Sequence, residues 1–256
     1  MPELSFHLTS KKIYFASDFH LGTPDHQSSR IREDKIIRWL NTIQHDAEAI
    51  FLVGDIFDFW FEYKHVVPKG FIRFLGKIAE LRDSGIRIYL FTGNHDMWMF
   101  DYFEKELDIP VFRKPIEMTV NDQILLVGHG DGLGPGDRFY KFLKLVFANP
   151  FLQWLFSWLH PNIGMAIAQA WSKNSRIANM KKADPFKEER EWLWQHCKSI
   201  EKESHHDLYI FGHRHLPIDK AVSESSRYIN LGEWVSQYTY LQLTADKADL
   251  RVFDDA

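Results

Sequence analysis

Ala49-Ile50-Phe51-Leu52-Val53-Gly54-Asp55-Ile56-Phe57-Asp58 joins a strand to a loop of metal-binding character within ten residues. Its first five residues are apolar and mostly β-branched or aromatic, as in a buried strand, and the run closes on a glycine and a carboxylate. The same design recurs. Lys12-Ile13-Tyr14-Phe15-Ala16-Ser17 leads into Asp18-Phe19-His20, and Arg87-Ile88-Tyr89-Leu90-Phe91-Thr92 leads into Gly93-Asn94-His95-Asp96. Gln123-Ile124-Leu125-Leu126-Val127 leads into Gly128-His129, and Asp207-Leu208-Tyr209-Ile210-Phe211 into Gly212-His213-Arg214-His215. Any one of these strings alone is an ordinary turn or helix cap. Five in order, each leaving a strand end, can converge on one dinuclear metal site.

Helical spacing of apolar residues at 32–42 and 70–84 separates the first strand runs, which is an α/β pattern. Strand signals then stop from Arg138 to about Ser204. That stretch is first aromatic, then basic (Lys173, Arg176, Lys181, Lys182), then a charged helical segment with Trp192 and Trp194, and is expected to be a helical insertion, 138–204, within one domain spanning 1–256. A terminal antiparallel section is expected at 228–231, 239–243 and 250–253.

With 256 residues, 45% of them hydrophobic, the chain can bury a large core. A net charge of -4 offers no global reason to bind nucleic acid, so an anionic ligand must be held by local groups. Cys197 is the single cysteine, which excludes an internal disulfide and a cysteine zinc cluster and suits a reducing cytosol. The N-terminal residues carry no export signal. Residues 145–172 contain no Asp, Glu, Lys or Arg, but Asn149-Pro150 and His160-Pro161 interrupt them. The apolar pieces are shorter than the roughly 20 residues of a spanning helix, so an interfacial position or a cover over a greasy ligand is expected.

Two divalent ions need a bridging ligand, and Asp55 is the candidate. Asp18, His20 and His215 would complete the shell of one ion, and Asn94, His129 and His213 that of the other. Imidazole, carboxylate and one amide, without thiolate, suit Mn²⁺, Fe or Zn²⁺ and argue against copper or iron–sulfur chemistry. Such a pair would polarise a phosphoryl oxygen and activate water for in-line attack on phosphorus. His95 could stabilise or protonate the leaving oxygen, and Asp58 and Asp96 could orient a histidine ligand or its loop.

The five strings resemble the signature of the calcineurin-like metallophosphoesterase superfamily. The resemblance implies a four-layer α-β-β-α sandwich, α/β in class, with a dinuclear site at the strand ends and the ligand division just given. Outside the ligands the chain is similar to one branch, the UDP-2,3-diacylglucosamine pyrophosphatases of lipid A synthesis. The likeness lies in His129-Gly130-Asp131-Gly132-Leu133 with Asp137 and Tyr140 beyond it, and in Ser175-Arg176-Ile177-Ala178-Asn179-Met180-Lys181-Lys182. It continues at Trp60 and at Leu231-Gly232-Glu233-Trp234.

Membership of that branch implies a hydrolase releasing UMP and 2,3-diacylglucosamine 1-phosphate with two divalent ions, Mn²⁺ being expected. Asp137 would contact glucosamine, while Ser175, Asn179 and Lys182 would hold nucleotide and phosphate. The substrate is a UDP-linked diacylated glucosamine lipid, so a cytoplasmic enzyme lying peripherally on the inner membrane is expected, without nucleic acid or a protein partner. Burying acyl chains stabilises by roughly 0.8 kcal/mol per methylene, and the apolar residues between Phe142 and Leu159 offer the groove. The chain departs from the branch at His95, where many members carry Arg, and at Asp58, where the acidic residue differs in length. Arg113 and the insertion's cations are candidates to supply the charge. The competing readings are another phosphodiesterase or phosphatase on a nucleotide, and a non-catalytic scaffold, against which stands the presence of all seven ligands together with His95.

Overall fold

The computed structural model describes residues 4–136, 138–180 and 186–254. The chain begins β1 (Leu4–Phe6), β2 (Lys12–Ala16), α1 (His26–Ile43), β3 (Ala47–Val53), α2 (Ile72–Asp83), β4 (Arg87–Phe91), α3 (Tyr102–Leu107) and β5 (Val111–Phe112). The hairpin β6 (Ile116–Val120) and β7 (Gln123–Gly128) leads to α4 (Arg138–Phe147), α5 (Pro150–Ser157), α6 (Pro161–Met180) and α7 (Trp192–Glu201). The remainder is β8 (Leu208–Phe211), β9 (Pro217–Ala221), β10 (Arg227–Leu231), β11 (Thr239–Leu243) and β12 (Ala248–Val252).

Two mixed six-stranded sheets form, ordered β12-β11-β2-β3-β4-β5 and β1-β6-β7-β8-β10-β9. Alternation along each strand builds the layers. Ile13, Phe15, Phe51 and Val53 point between the sheets to meet Leu125, Val127, Ile210 and Ile229. Their neighbours Tyr14, Ala16, Ile50 and Leu52 point outward under Ile36, Trp39 and Leu40 of α1 and Phe74 and Ile78 of α2. On the other flank Tyr209, Phe211 and Tyr228 pack against Leu193, Trp194 and Cys197 of α7. The order is helix, sheet, sheet, helix, so strand runs that look apolar throughout are buried on both faces for two different reasons.

Parallel pairing of β2, β3 and β4 sends their C-terminal ends to the same edge, and β7 and β8 are likewise parallel. One expectation needs correcting. β10 pairs in parallel with β8, and its antiparallel partner is β9, a strand with no clear alternation; β11 and β12 are antiparallel as expected. Helix α1 starts earlier than its apolar spacing suggests because Asp25 caps it, accepting from Ser28 N at 2.8 Å. Trp60 and Trp234 are fully buried, the first donating to Glu62 at 3.0 Å and the second to the Thr239 carbonyl at 2.7 Å. Both are core residues.

Between β7 and β8 the breaks fall at the Asn-Pro and His-Pro pairs. Asn149 caps α5, accepting from Phe151 N and Leu152 N, with Pro150 in the first turn. No helix among the described residues is long and apolar enough to cross a membrane. Helix α5 nonetheless buries none of its residues, and Phe151, Trp154 and Trp158 are 63%, 53% and 74% exposed. Phe156 turns inward, its ring 4.8 Å from Phe61 and 4.9 Å from Trp98.

At the end of α7, Glu201 accepts from Tyr209 OH at 2.7 Å, Ser226 Oγ at 2.6 Å and His205 Nδ1 at 2.8 Å. Burial would raise its carboxyl, but these bonds outweigh burial and hold it at about 2, against an ordinary 4.5. A depressed folded value stabilises above the unfolded one, and the stabilisation is lost as pH falls through about 2. Glu201→Gln should therefore lower Tm at neutral pH, with the gap from wild type shrinking steadily below pH 4.5. Equal Tm values at pH 7 would contradict this.

Candidate active site

The loops leaving β2, β3, β4, β7 and β8 meet at one edge of the sandwich. Asp18, His20, Asp55, His213 and His215 all adopt positive φ, between 45° and 69°. That backbone is strained for side chains other than glycine and persists where its surroundings hold it. Interlocking loops do so here. Asp18 N donates to Gly54 O at 3.0 Å, His20 N to Asp55 O at 2.9 Å, and Leu21 N to Ile56 O at 2.9 Å. Gly54 (φ +82°) must be glycine, since a Cβ would lie 2.6 Å from His129 Nδ1. Gly93 must be too, because a Cβ there would strike the Asp55 carboxylate.

Among the described residues, two groups of donors share Asp55, and a third is His20, Asp58 and His95. In the first, His20 Nε2 lies 3.1 Å from His215 Nε2, 3.7 Å from Asp18 Oδ1 and 3.8 Å from Asp55 Oδ2. In the second, Asp55 Oδ2 lies 3.4 Å from His129 Nε2, which is also 3.4 Å from Asn94 Oδ1, and the His129 and His213 rings are 5.2 Å apart. The other Asp55 oxygen accepts from His95 N at 2.8 Å, so the carboxylate is held in place. His129 donates from Nδ1 to Val53 O at 2.9 Å, which fixes the ring with Nε2 turned toward Asp55.

The residues of the groups that share Asp55 could hold a divalent cation. Asp18 Oδ1 is buried without an aligned hydrogen bond, although His215 Nε2 is 3.0 Å away. Burial drives the His20 and His213 imidazoles down to about 4, so both are neutral at pH 7, the form a metal requires. Burial alone would also lower His129, but the Asp55 carboxylate overrides it and pushes the imidazole up to about 10. Asp55 is held well below the usual carboxylate range, its imidazole neighbours His129 and His95 outweighing burial. Without a cation, the charge of the buried Asp55 is thus balanced by the His129 imidazole, the role a bound cation would take over.

Asp96 serves the loops. It accepts from Gly93 N at 2.7 Å and Ile56 N at 2.7 Å, and more weakly from Asp55 N and Phe57 N. Burial and the Asp55 charge push its carboxyl up to about 7, against the pull of the Gly93 and Phe57 amides and of His129. Asp58 Oδ1 lies 3.8 Å from both His20 Nδ1 and His95 Nδ1. Asp131, next to the His129 loop, accepts from Tyr140 OH and Lys144 Nζ, each at 2.6 Å, which ties α4 to that loop.

Of the expected substrate contacts, Asp137 and Lys182 lie outside the described residues; Ser175 and Asn179 fall on α6, with their side chains outside them. Arg113 does not face the cleft as a spare charge. Its guanidinium donates to Met99 O at 2.9 Å and to Phe100 O at 2.7 Å and holds the loop after β4.

Two residues without a motif are drawn into the site. Arg32 of α1 donates to His20 O at 2.7 Å and Thr23 O at 3.0 Å. Its signal is faint: a cation on the same helical stripe as Ile36, Trp39 and Ile43, where an apolar residue is due. Ser172 of α6 donates to Asp58 Oδ2 at 2.9 Å, and nothing in the sequence around it marks it.

A two-sheet sandwich whose strand ends gather Asp, His and Asn in this order defines a class. The family profile of calcineurin-like phosphoesterases matches residues 11–217, and the chain belongs to that family. Among curated proteins, the UDP-2,3-diacylglucosamine hydrolase of Porphyromonas gingivalis is 39% identical over 244 residues, covering 90% of this chain and 92% of its own length. The UDP-2,3-diacylglucosamine hydrolase of Aeromonas salmonicida is 26% identical over 238 residues, 89% of this chain and 87% of that protein. That of Shewanella sp. strain MR-4 is 25% identical over 247 residues, 94% and 97% respectively.

Proposed function

We propose that this chain is a metal-dependent hydrolase cleaving the pyrophosphate of UDP-2,3-diacylglucosamine to UMP and 2,3-diacylglucosamine 1-phosphate, a step of lipid A synthesis. The observation that carries the chemistry is one carboxylate, Asp55, shared by two groups of nitrogen and oxygen donors. The substrate follows from the named relatives, above all the Porphyromonas hydrolase that matches nearly end to end.

Asp18, His20, Asp55 and His215 would hold one divalent ion, and Asp55, Asn94, His129 and His213 a second, with Mn²⁺ suited to these donors. Bound there, the ions would supply Lewis acidity toward phosphoryl oxygens and water activation at neutral pH. His95 would stabilise or protonate the leaving oxygen, with Asp58 and Asp96 fixing the histidines and loops around it. Asp137, Ser175, Asn179 and Lys182 would contact the sugar, nucleotide and phosphate.

Residues 138–204 would form the cap over this site. The exposed apolar side chains of α5, with Ile163 and Ile167 of α6, suit acyl chains and the bilayer that delivers them. The chain would then work peripherally on the cytoplasmic face of the inner membrane.

Mn²⁺-loaded protein should release UMP from the diacyl lipid, lose the activity with EDTA and regain it on adding metal back. Turnover of soluble phosphodiesters with none of the lipid would sink the reading. Burying a large apolar side chain stabilises by roughly 1.5–3 kcal/mol, so Trp158→Asp should weaken vesicle binding roughly tenfold or more. Co-sedimentation with phospholipid vesicles measures it, and unchanged binding would remove α5 from the membrane contact.

A further inference from the structure

We propose that Ser172 is a positioning residue through which helix α6 sets the orientation and tautomer of His95. The proposal rests on the reading that His95 serves the leaving oxygen. Ser172 is only 4% exposed, and its hydroxyl reaches two groups at once. It donates its one proton to Asp58 Oδ2 at 2.9 Å and lies 3.2 Å from His95 Nδ1. With that proton committed, the serine oxygen can offer His95 only a lone pair. The second neighbour of His95 Nδ1 is the Asp58 carbonyl oxygen, at 3.1 Å, which can only accept. Both partners therefore demand a hydrogen on Nδ1. Nε2 is left as the ring nitrogen available to the leaving oxygen.

The same hydroxyl acts a second time through Asp58. Holding Oδ2 leaves Oδ1 toward His20 Nδ1, 3.8 Å away, on the ring whose Nε2 joins the first donor group. Asp58 and His95 come from the loops after β3 and β4, whereas Ser172 comes from a helix 114 residues further along the chain than Asp58. An inward step of α6 thus brings in the group that fixes the ring. Helix position and leaving-group chemistry are linked by one oxygen.

In the metal-loaded full chain, Ser172→Ala should lower kcat on the diacyl lipid roughly 10–100-fold, the usual cost of losing a group that orients a functional histidine, with KM little changed. Ser172→Thr keeps the hydroxyl and should restore most of the rate, while Ser172→Val, of the same shape without it, should behave like alanine. On a soluble phosphodiester with an alkyl leaving group, most of the Ser172→Ala loss should vanish once His95→Ala has removed the ring it positions, leaving only the part carried through Asp58 to His20.

These diester assays decide the role of Ser172 even if the lipid is not the substrate. Ser172→Ala at the wild-type rate, a full loss persisting in the His95→Ala background, or threonine no better than valine would overturn the proposal.

Discussion

Asp55→Ala should abolish hydrolysis and reduce bound metal to less than one ion per chain, while the protein stays folded. The carboxylate belongs to both donor groups, with Oδ2 3.8 Å from His20 Nε2 and 3.4 Å from His129 Nε2. Removing any other ligand leaves one group complete. Removing Asp55 breaks both, and also the 2.8 Å bond that seats His95 N. Losing an outer partner of a metal ligand typically costs 10–100-fold, so a shared inner ligand should cost well over 100-fold. Metal analysis after reconstitution, UMP release and circular dichroism measure the three parts. Full metal content with near-normal turnover would show that the two groups do not share Asp55 as a ligand. Stability should fall as well. Without metal, Asp55 is held well below the usual carboxylate range and raises His129 to about 10, so its removal strips a buried imidazole of its carboxylate, a loss that outweighs the relief of Asp96.

The strand-end strings could be recognised because their two requirements leave separate marks in sequence. A strand covered on both faces must be apolar along its length, as Ile50-Phe51-Leu52-Val53 is. The residue that turns out of it toward a cation must then be a ligand beside a glycine. The two sheets could not be separated in the same way, because inner and outer positions are equally apolar. That is why β10 looked like part of an antiparallel tail, although its neighbour β8 runs parallel to it. Residues whose role depends on contacts distant in sequence were harder still. Trp60 and Trp234 stand beside the site strings, yet both are core residues. Ser172 meets Asp58 only because α6 folds back across the cleft.

The helical breaks between β7 and β8 were visible because proline and asparagine act locally. Asn149 accepts from two amides of the turn it starts, and Pro150 needs no donor there. The burial of what lies between the breaks was not visible. A helix rich in aromatic residues normally hides one face, and α5 hides none of its residues fully. Surplus apolar surface around a phosphoester site marks a ligand or surface that is itself apolar. A soluble nucleotide gives no reason for it, whereas a diacylated sugar nucleotide does.

Arg32→Met should destabilise the fold by about 3–5 kcal/mol, an effect that site motifs alone would not suggest. The guanidinium is 5% exposed and donates to His20 O at 2.7 Å, Phe19 O at 3.2 Å and Thr23 O at 3.0 Å. Burial lowers its pKa, with Glu233 opposing, but an arginine remains charged at any working pH. Methionine fills similar volume while removing the guanidinium from three carbonyl oxygens, of which His20 O keeps only the Thr23 amide at 3.3 Å. At roughly 2–4 °C per kcal/mol for a domain of about this size, Tm should fall by roughly 10 °C. The same carbonyls belong to the turn holding Asp18 at φ 56° and His20 at φ 45°. Once released, that turn can relax toward less strained backbone and carry the two ligands apart. Metal affinity should therefore fall roughly 10–100-fold even at temperatures where the variant is fully folded. Arg32→Lys keeps the charge but cannot reach three carbonyls with a fork, so it should lie between methionine and wild type. Thermal melts of the metal-free protein separate the two consequences. A Tm within about 2 °C of wild type would show that α1 holds the loop without Arg32, and a lowered Tm with unchanged metal affinity would show that the turn keeps its shape by its own hydrogen bonds to the β3 loop.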